Sequence, residues 1–236
     1  MLKGMRWNEF LHNAANKEAL ITAITRYLRS ENRRLSLPFP MIVNDKYDTV
    51  SINSEGVTNL FECNHEEGDY RLVLHALISQ QDVVIVAKDT DVLVLLVWAY
   101  VHFNIQFKWY MMYEKGVFAE ISIICQYFGS TICENILSYH AITGCDTTSY
   151  MFRVGKIKVF QKLVKNSDLC LLLHALENVD PLQETDISDL KQFVQTVMYS
   201  GKVSESYVET RKRLYDQQKT KNSTNITPIL IPYSRT

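Results

Sequence analysis

Asp82-Val-Val-Ile-Val-Ala87-Lys-Asp-Thr-Asp91-Val-Leu-Val-Leu-Leu-Val-Trp-Ala-Tyr-Val-His-Phe103 is the stretch that decides the fold, because two apolar runs meet in it. The β-branched run at 82–87 predicts a short buried strand. The longer run from about 90 to 103 predicts a buried helix, since it is about half the length that a bilayer span requires. Asp89 and Asp91 lie at the junction of the two runs.

The flanking sequence extends this pattern in both directions. Helices are predicted over 7–28 and from about 65 to 78, with extended pieces at 41–43 and 49–52 and a strand at 105–112. Helix, strand, helix, strand in this order is typical of an α/β unit with a parallel sheet. After about residue 118 the pattern becomes helical, with segments predicted at 118–127, 131–142, 150–165, 168–178, 186–199 and 204–218.

Composition limits the class of protein. The 236 residues carry a formal net charge of -1, so a nucleic-acid partner would have to be bound by local patches rather than by overall attraction. The five cysteines are scattered and form no CxxC, which favours reduced thiols in an intracellular protein over a zinc or disulfide framework. No membrane partner is expected.

Five acidic residues form three small clusters. These are Glu67 and Asp69 at a predicted helix start, Asp89 and Asp91 after the strand, and Asp146 in a Gly-containing turn. Each cluster has a purely structural interpretation: acids in a first helical turn favour the helix dipole, Asp91 could cap the next helix, and Asp146 could form an Asx-turn. Together around one apolar strand they predict a site for a hard divalent cation, Mg²⁺ or Mn²⁺.

A basic stretch follows the last acid. Its charges suit binding to a phosphate backbone, and a solvated helix face is an equally good interpretation. The residues are Arg153, Lys156, Lys158 and Lys162. His65 and His140 lie near acidic turns and could support metal ligands, whereas His75 and His174 lie within apolar helices and are expected to pack there.

These residues resemble the PIN-like nucleases of the flap endonuclease / XPG superfamily. In that superfamily a pair of acids at a helix start precedes a strand ending in Asp-x-Asp, and a Gly-Cys-Asp leads into a helical element that binds the DNA backbone. Segments 66–76, 89–96 and 140–149 are similar to a group of such proteins found mainly in invertebrates. The resemblance implies a two-metal phosphodiesterase that cuts DNA or RNA, with Asp89 and Asp91 catalytic and all five acids binding metal.

The chain departs from the superfamily in two respects. Gly68 and Tyr70 replace the usual Ala and Thr, and no strand carrying a further metal-binding Asp precedes the first helix. We therefore expect a parallel-sheet PIN-like core that lacks its first strand, in the C-terminal part of a longer protein. The expected division is a partial core at 1–130, a helical region at 131–218 and a flexible tail at 219–236. DNA is expected as the partner rather than RNA, which favours the nucleus over the cytoplasm.

Two other functions are kept open. A truncated domain could be an inactive nucleic-acid-binding or interaction module that retains old carboxylates. A haloacid-dehalogenase-type phosphatase could use Asp89 as nucleophile with Asp91 as its acid partner, but that class leaves the upstream acidic helix and the Gly-Cys-Asp turn unexplained.

Overall fold

A computed structural model describes residues 6–30, 41–45, 48–52, 68–146, 148, 154–177, 183–200 and 205–221. The chain divides into two compact units, Met1–Arg71 and Leu72–Thr236. Within the described ranges, no helix is long and apolar enough to cross a membrane.

The first unit contains two helices and a hairpin. The helix predicted over 7–28 is found as two, α1 (Trp7–Leu11) and α2 (Ala14–Ser30). The interruption has a local cause, because the side-chain oxygen of Asn13 accepts a hydrogen bond from the Ala15 N–H at 2.9 Å and so starts a new helix. The two predicted extended pieces are confirmed as strands β1 (Met41–Asp45) and β2 (Asp48–Ile52), which pair antiparallel.

The second unit is built on a small open sheet. Helix α3 (Gly68–Ser79) leads to β3 (Val83–Val86), α4 (Thr90–His102) and β4 (Trp109–Glu114). Strands β3 and β4 pair in parallel across α4, which confirms the predicted α/β unit. The protein is therefore mixed α/β, with more helix than strand.

The end of the sheet differs from the prediction. A turn after β4 leads into a third strand, β5 (Val117–Glu120), which pairs antiparallel with β4 where a helix was expected from residue 118. The strand was missed because its four residues run directly into the apolar helix α5 (Ile121–Phe128), whose periodicity dominates the window. The sheet is consequently only partly parallel.

One face of the sheet forms the core. Ile85 of β3 and Trp109 and Met111 of β4 are buried with the inner faces of α4 and α5. Strand β3 is not buried on both faces as predicted, since Val84 and Val86 are 55% and 65% exposed. Alternation of buried and exposed residues is typical of a sheet covered on one side.

Short helices complete the second unit. They are α6 (Ser130–Glu134), α7 (Ile136–Thr143), α8 (Lys156–Lys165), a 3₁₀ helix (Ser167–Glu177), α9 (Glu184–Gln192), a π-helical turn (Phe193–Met198) and α10 (Tyr207–Lys221). Helix α4 contacts α5, α6 and α7, so segments on both sides of residue 130 share one core. The division at residue 130 stays a prediction, and α10 ends at Lys221.

We expect Leu96→Ala to lower the free energy of unfolding by about 2–5 kcal/mol, because Leu96 is fully buried in α4 and its loss leaves a cavity. Val86→Ala removes an exposed side chain of β3 and should change stability by less than about 1 kcal/mol. Urea unfolding of both variants measures the difference. Equal losses would contradict the placement of α4 at the centre of the core.

Candidate functional site

Three of the five predicted acids line one cleft of about 520 Å³ in the second unit. Asp89 and Asp91 come from the start of α4, Asp146 follows the end of α7, and Lys156 begins α8. Asp69 lies in the first turn of α3, and Glu67 and Arg153 lie outside the described residues. Of the five acids that the sequence predicted at one site, Asp89, Asp91 and Asp146 line this cleft, although their chain positions are up to 57 residues apart.

Asp89 is fixed by the backbone of the helix that it starts. Its extended backbone places Oδ1 2.9 Å from the N–H of Asp91, which donates to it as in a helix N-cap. The capping role that the sequence suggested for Asp91 thus belongs to Asp89. Because the cap occupies one carboxylate oxygen, Asp89 keeps a defined orientation at the cleft while its second oxygen has no partner within the described parts of the chain.

Asp91 meets a histidine from the end of α7. Its Oδ1 lies 3.1 Å from Nε2 of His140, with the two side chains 31% and 14% exposed. This distance is that of an ion pair or a polar contact, although the alignment falls short of a hydrogen bond and Nε2 is shielded from solvent. The sequence indicates His140 only as a supporting group near an acidic turn. The structure shows that the carboxylate it contacts is that of Asp91.

A short turn holds Asp146 at the end of α7. The helix stops at Gly144, whose φ of 98° is a conformation that side chains strongly disfavour. Thr148 then closes the turn from the other side: its Oγ1 accepts from the Cys145 N–H at 3.0 Å and donates to the Ala141 carbonyl at 2.7 Å. These contacts fix the backbone around Asp146, while its side chain stays exposed to solvent at the cleft.

The start of α8 is tied to α7 by a buried tyrosine. The hydroxyl of Tyr139 donates to the carbonyl of Lys156 at 2.8 Å. Burial raises the pKa of Tyr139 to about 12, so the hydroxyl stays protonated as a donor. Gly155 precedes α8 and offers no side-chain cap. Lys158, two residues after the start of α8, is exposed. The Tyr139 contact therefore positions Lys156 at the cleft.

Lys162 has an intramolecular role. Its ammonium donates to the carbonyl of Val197 in the π-helical turn and to Ser200 Oγ at 2.7 Å. Burial lowers the pKa of Lys162, as expected for a partly desolvated cation. The charge is used to join α8 to the π-helical turn, so we leave Lys162 out of the nucleic-acid interface proposed below.

The donor set suits a divalent cation in its chemistry. Carboxylate oxygens are what Mg²⁺ and Mn²⁺ prefer, and Mg²⁺ commonly uses one or two carboxylates together with water and a substrate phosphate. Across the described residues, no three His, Cys, Asp or Glu side chains converge closely enough to hold a metal by themselves. Asp89, Asp91 and Asp146 line this one cleft, which could hold a cation in an open site rather than in a closed cage.

We expect Tyr139→Phe to destabilise the protein by about 1 kcal/mol at neutral pH, because the Lys156 carbonyl loses its donor. The pKa of about 12 in the folded protein exceeds the ordinary value of 10, so the contribution of Tyr139 is complete below pH 10 and declines as pH rises toward 12. The stability difference between the wild type and the variant should accordingly shrink with rising pH. Urea unfolding at neutral pH and near pH 11 measures it, and a constant difference would contradict the burial of this hydroxyl.

Comparison with known proteins does not assign the chain to a family. A scan of protein-family models, a search of curated proteins and a search of solved structures each found no match.

Proposed function

We propose that this protein is a metal-dependent phosphodiesterase, nuclease-like, that acts on DNA rather than RNA, and that it works in the nucleus. The observation that carries the proposal is the shared cleft of Asp89, Asp91 and Asp146, which also contains Lys156. Carboxylates that could bind a divalent cation, beside a lysine that could bind phosphate, suit the hydrolysis of a phosphodiester.

The positions of the cleft acids in the fold support the proposal. In sheets with parallel strands, sites form beyond the carboxyl ends of the strands. Asp89 and Asp91 follow β3, which is parallel to β4, and Asp146 lines the same cleft. This arrangement is compatible with a PIN-like core of the flap endonuclease superfamily, and we propose that relationship for the second unit.

The chemistry can be assigned to particular side chains. A bound divalent cation, or a pair, would supply an activated water and neutralise charge on the scissile phosphate. Asp89 and Asp91 would hold the cation through the carboxylate oxygens that the helix cap and His140 leave unused. Asp146, which lines the same cleft, would complete the site or orient water.

The nucleic acid would be held locally, since the chain carries no overall positive charge. Lys156 lies in the cleft, and Lys158 is exposed on the same helix. The start of α8 also presents backbone N–H groups and the positive end of the helix dipole. We propose that these groups, with Arg153, bind the phosphates beside the one that is cut.

We expect Asp91→Asn to lower cleavage by about 100-fold or more, because changes to groups that merely support metal ligands already cost about 10- to 100-fold. Asp189→Asn removes an equal charge from the exposed surface of α9 and is the matched control. The measurement is cleavage of branched or single-strand-tailed DNA with Mg²⁺ or Mn²⁺ and with EDTA.

The same assay separates the other functions. Hydrolysis of small phosphate monoesters that is lost in Asp89→Asn would favour the phosphatase and contradict the nuclease. Salt-sensitive DNA binding without any cleavage would favour the non-catalytic module.

We expect Lys156→Gln to weaken DNA binding at all sequences and to reduce the slope of log affinity against log salt by about 1, because one phosphate contact is lost. Lys165→Gln, in the last turn of the same helix, is the control and should leave the slope unchanged. Fluorescence anisotropy across a salt series gives both slopes. An equal effect of the two changes would contradict a phosphate site at the start of α8.

A further inference from the structure

His140 does not line the cleft, but it contacts Asp91, which does. Nε2 of His140 is 3.1 Å from Asp91 Oδ1, and no other polar partner for Nε2 exists among the described residues. Nε2 is also excluded from water. Asp91 is therefore the group with which Nε2 can form a hydrogen bond.

The chemistry of the pair determines which atom carries the hydrogen. An ionised carboxylate only accepts hydrogen bonds, so a nitrogen that faces it at this distance has to carry a proton if the two are to attract. We infer the Nε2–H form of the ring, which holds whether or not Nδ1 is also protonated. A small rotation of the ring then aligns Nε2–H with Oδ1 at the observed separation.

The position of the pair in the fold indicates what it does. Asp91 lies in the first turn of α4, and His140 lies in the last turn of α7, the helix that ends three residues later, at Thr143, before the turn holding Asp146. The contact therefore joins the two elements that carry the acids of the cleft. His140 does not line the cleft and contacts it through Asp91.

We propose that His140 is a positioning residue that holds Asp91 by Oδ1 and leaves Oδ2 for a divalent cation. This rests on the proposed function. Carboxylates that bind metals are commonly fixed by such a hydrogen bond to the second oxygen, and loss of the supporting group weakens metal binding about 10- to 100-fold. Asp89 has the equivalent support from the backbone, so both acids at the start of α4 would present one restrained oxygen each.

The first experiment needs no metal. Ring-nitrogen NMR signals of the metal-free protein are recorded, and the signal of His140 is assigned by its loss in His140→Gln. The signal should report Nε2–H and should move in Asp91→Ala but not in Asp146→Ala, because only Asp91 is its acceptor. An unchanged signal in Asp91→Ala overturns the inference, even when the protein binds metal.

The second experiment measures Mn²⁺ affinity by calorimetry. His140→Leu should bind Mn²⁺ about 10- to 100-fold more weakly than the wild type. His140→Gln should restore most of the affinity, since its amide N–H can replace Nε2–H. His102→Gln, on the exposed end of α4, is the matched control and should bind as the wild type does.

The outcomes separate the two proposals. Wild-type affinity in His140→Leu, or no recovery in His140→Gln, overturns the positioning role and leaves the metal-dependent function in place. No Mn²⁺ binding by the wild type overturns the proposed function and this inference with it. If His140→Leu does not fold, the positioning role of His140 is still tested by the NMR comparison of Asp91→Ala with Asp146→Ala and by the Mn²⁺ affinity of His140→Gln.

Discussion

The packing of α4 against α7 is the contact on which the candidate site depends. The buried side of α4 carries Val92, Leu96 and Ala99, while α7 contributes Ile136 and Tyr139 to the same core. Apolar burial of this kind is the main favourable term in folding, and it fixes the two helices without regard to the charges at their ends. Those ends carry Asp91 and, past Gly144, Asp146.

Polar contacts then restrain the residues at the ends of the two helices. The Asp89 cap, the His140–Asp91 contact and the Thr148 turn each act within a few residues of a cleft carboxylate. Such contacts contribute modestly to stability one by one, but each removes conformational freedom from the group it touches. As a result, two of the three cleft carboxylates, Asp89 and Asp91, each have one oxygen in contact with a polar group of the protein.

Much of the α/β unit could be predicted from sequence because its periodicities are strong. The apolar run after Asp91 and the β-branched run before Lys88 fix α4 and β3 within a residue or two. Strand β5 could not be predicted, since four residues beside an apolar helix give no distinct period. The intramolecular role of Lys162 could not be predicted either. It depends on the carbonyl of Val197, which is 35 residues away in the chain and lies in the π-helical turn. Motif spacing predicted five acids at one site, of which three line the cleft, whereas the cap at Asp89 and the partner of Asp91 needed coordinates.

A crystal structure of the protein soaked with Mn²⁺, with the ion located by its anomalous scattering, tests the central claim most directly. The account predicts an anomalous peak in the cleft within coordination distance of Asp89 and Asp91, with Asp146 lining the same cleft and His140 in contact with the other oxygen of Asp91. A cleft without a peak at saturating Mn²⁺, or an Asp146 turn that lies away from the start of α4, would contradict it.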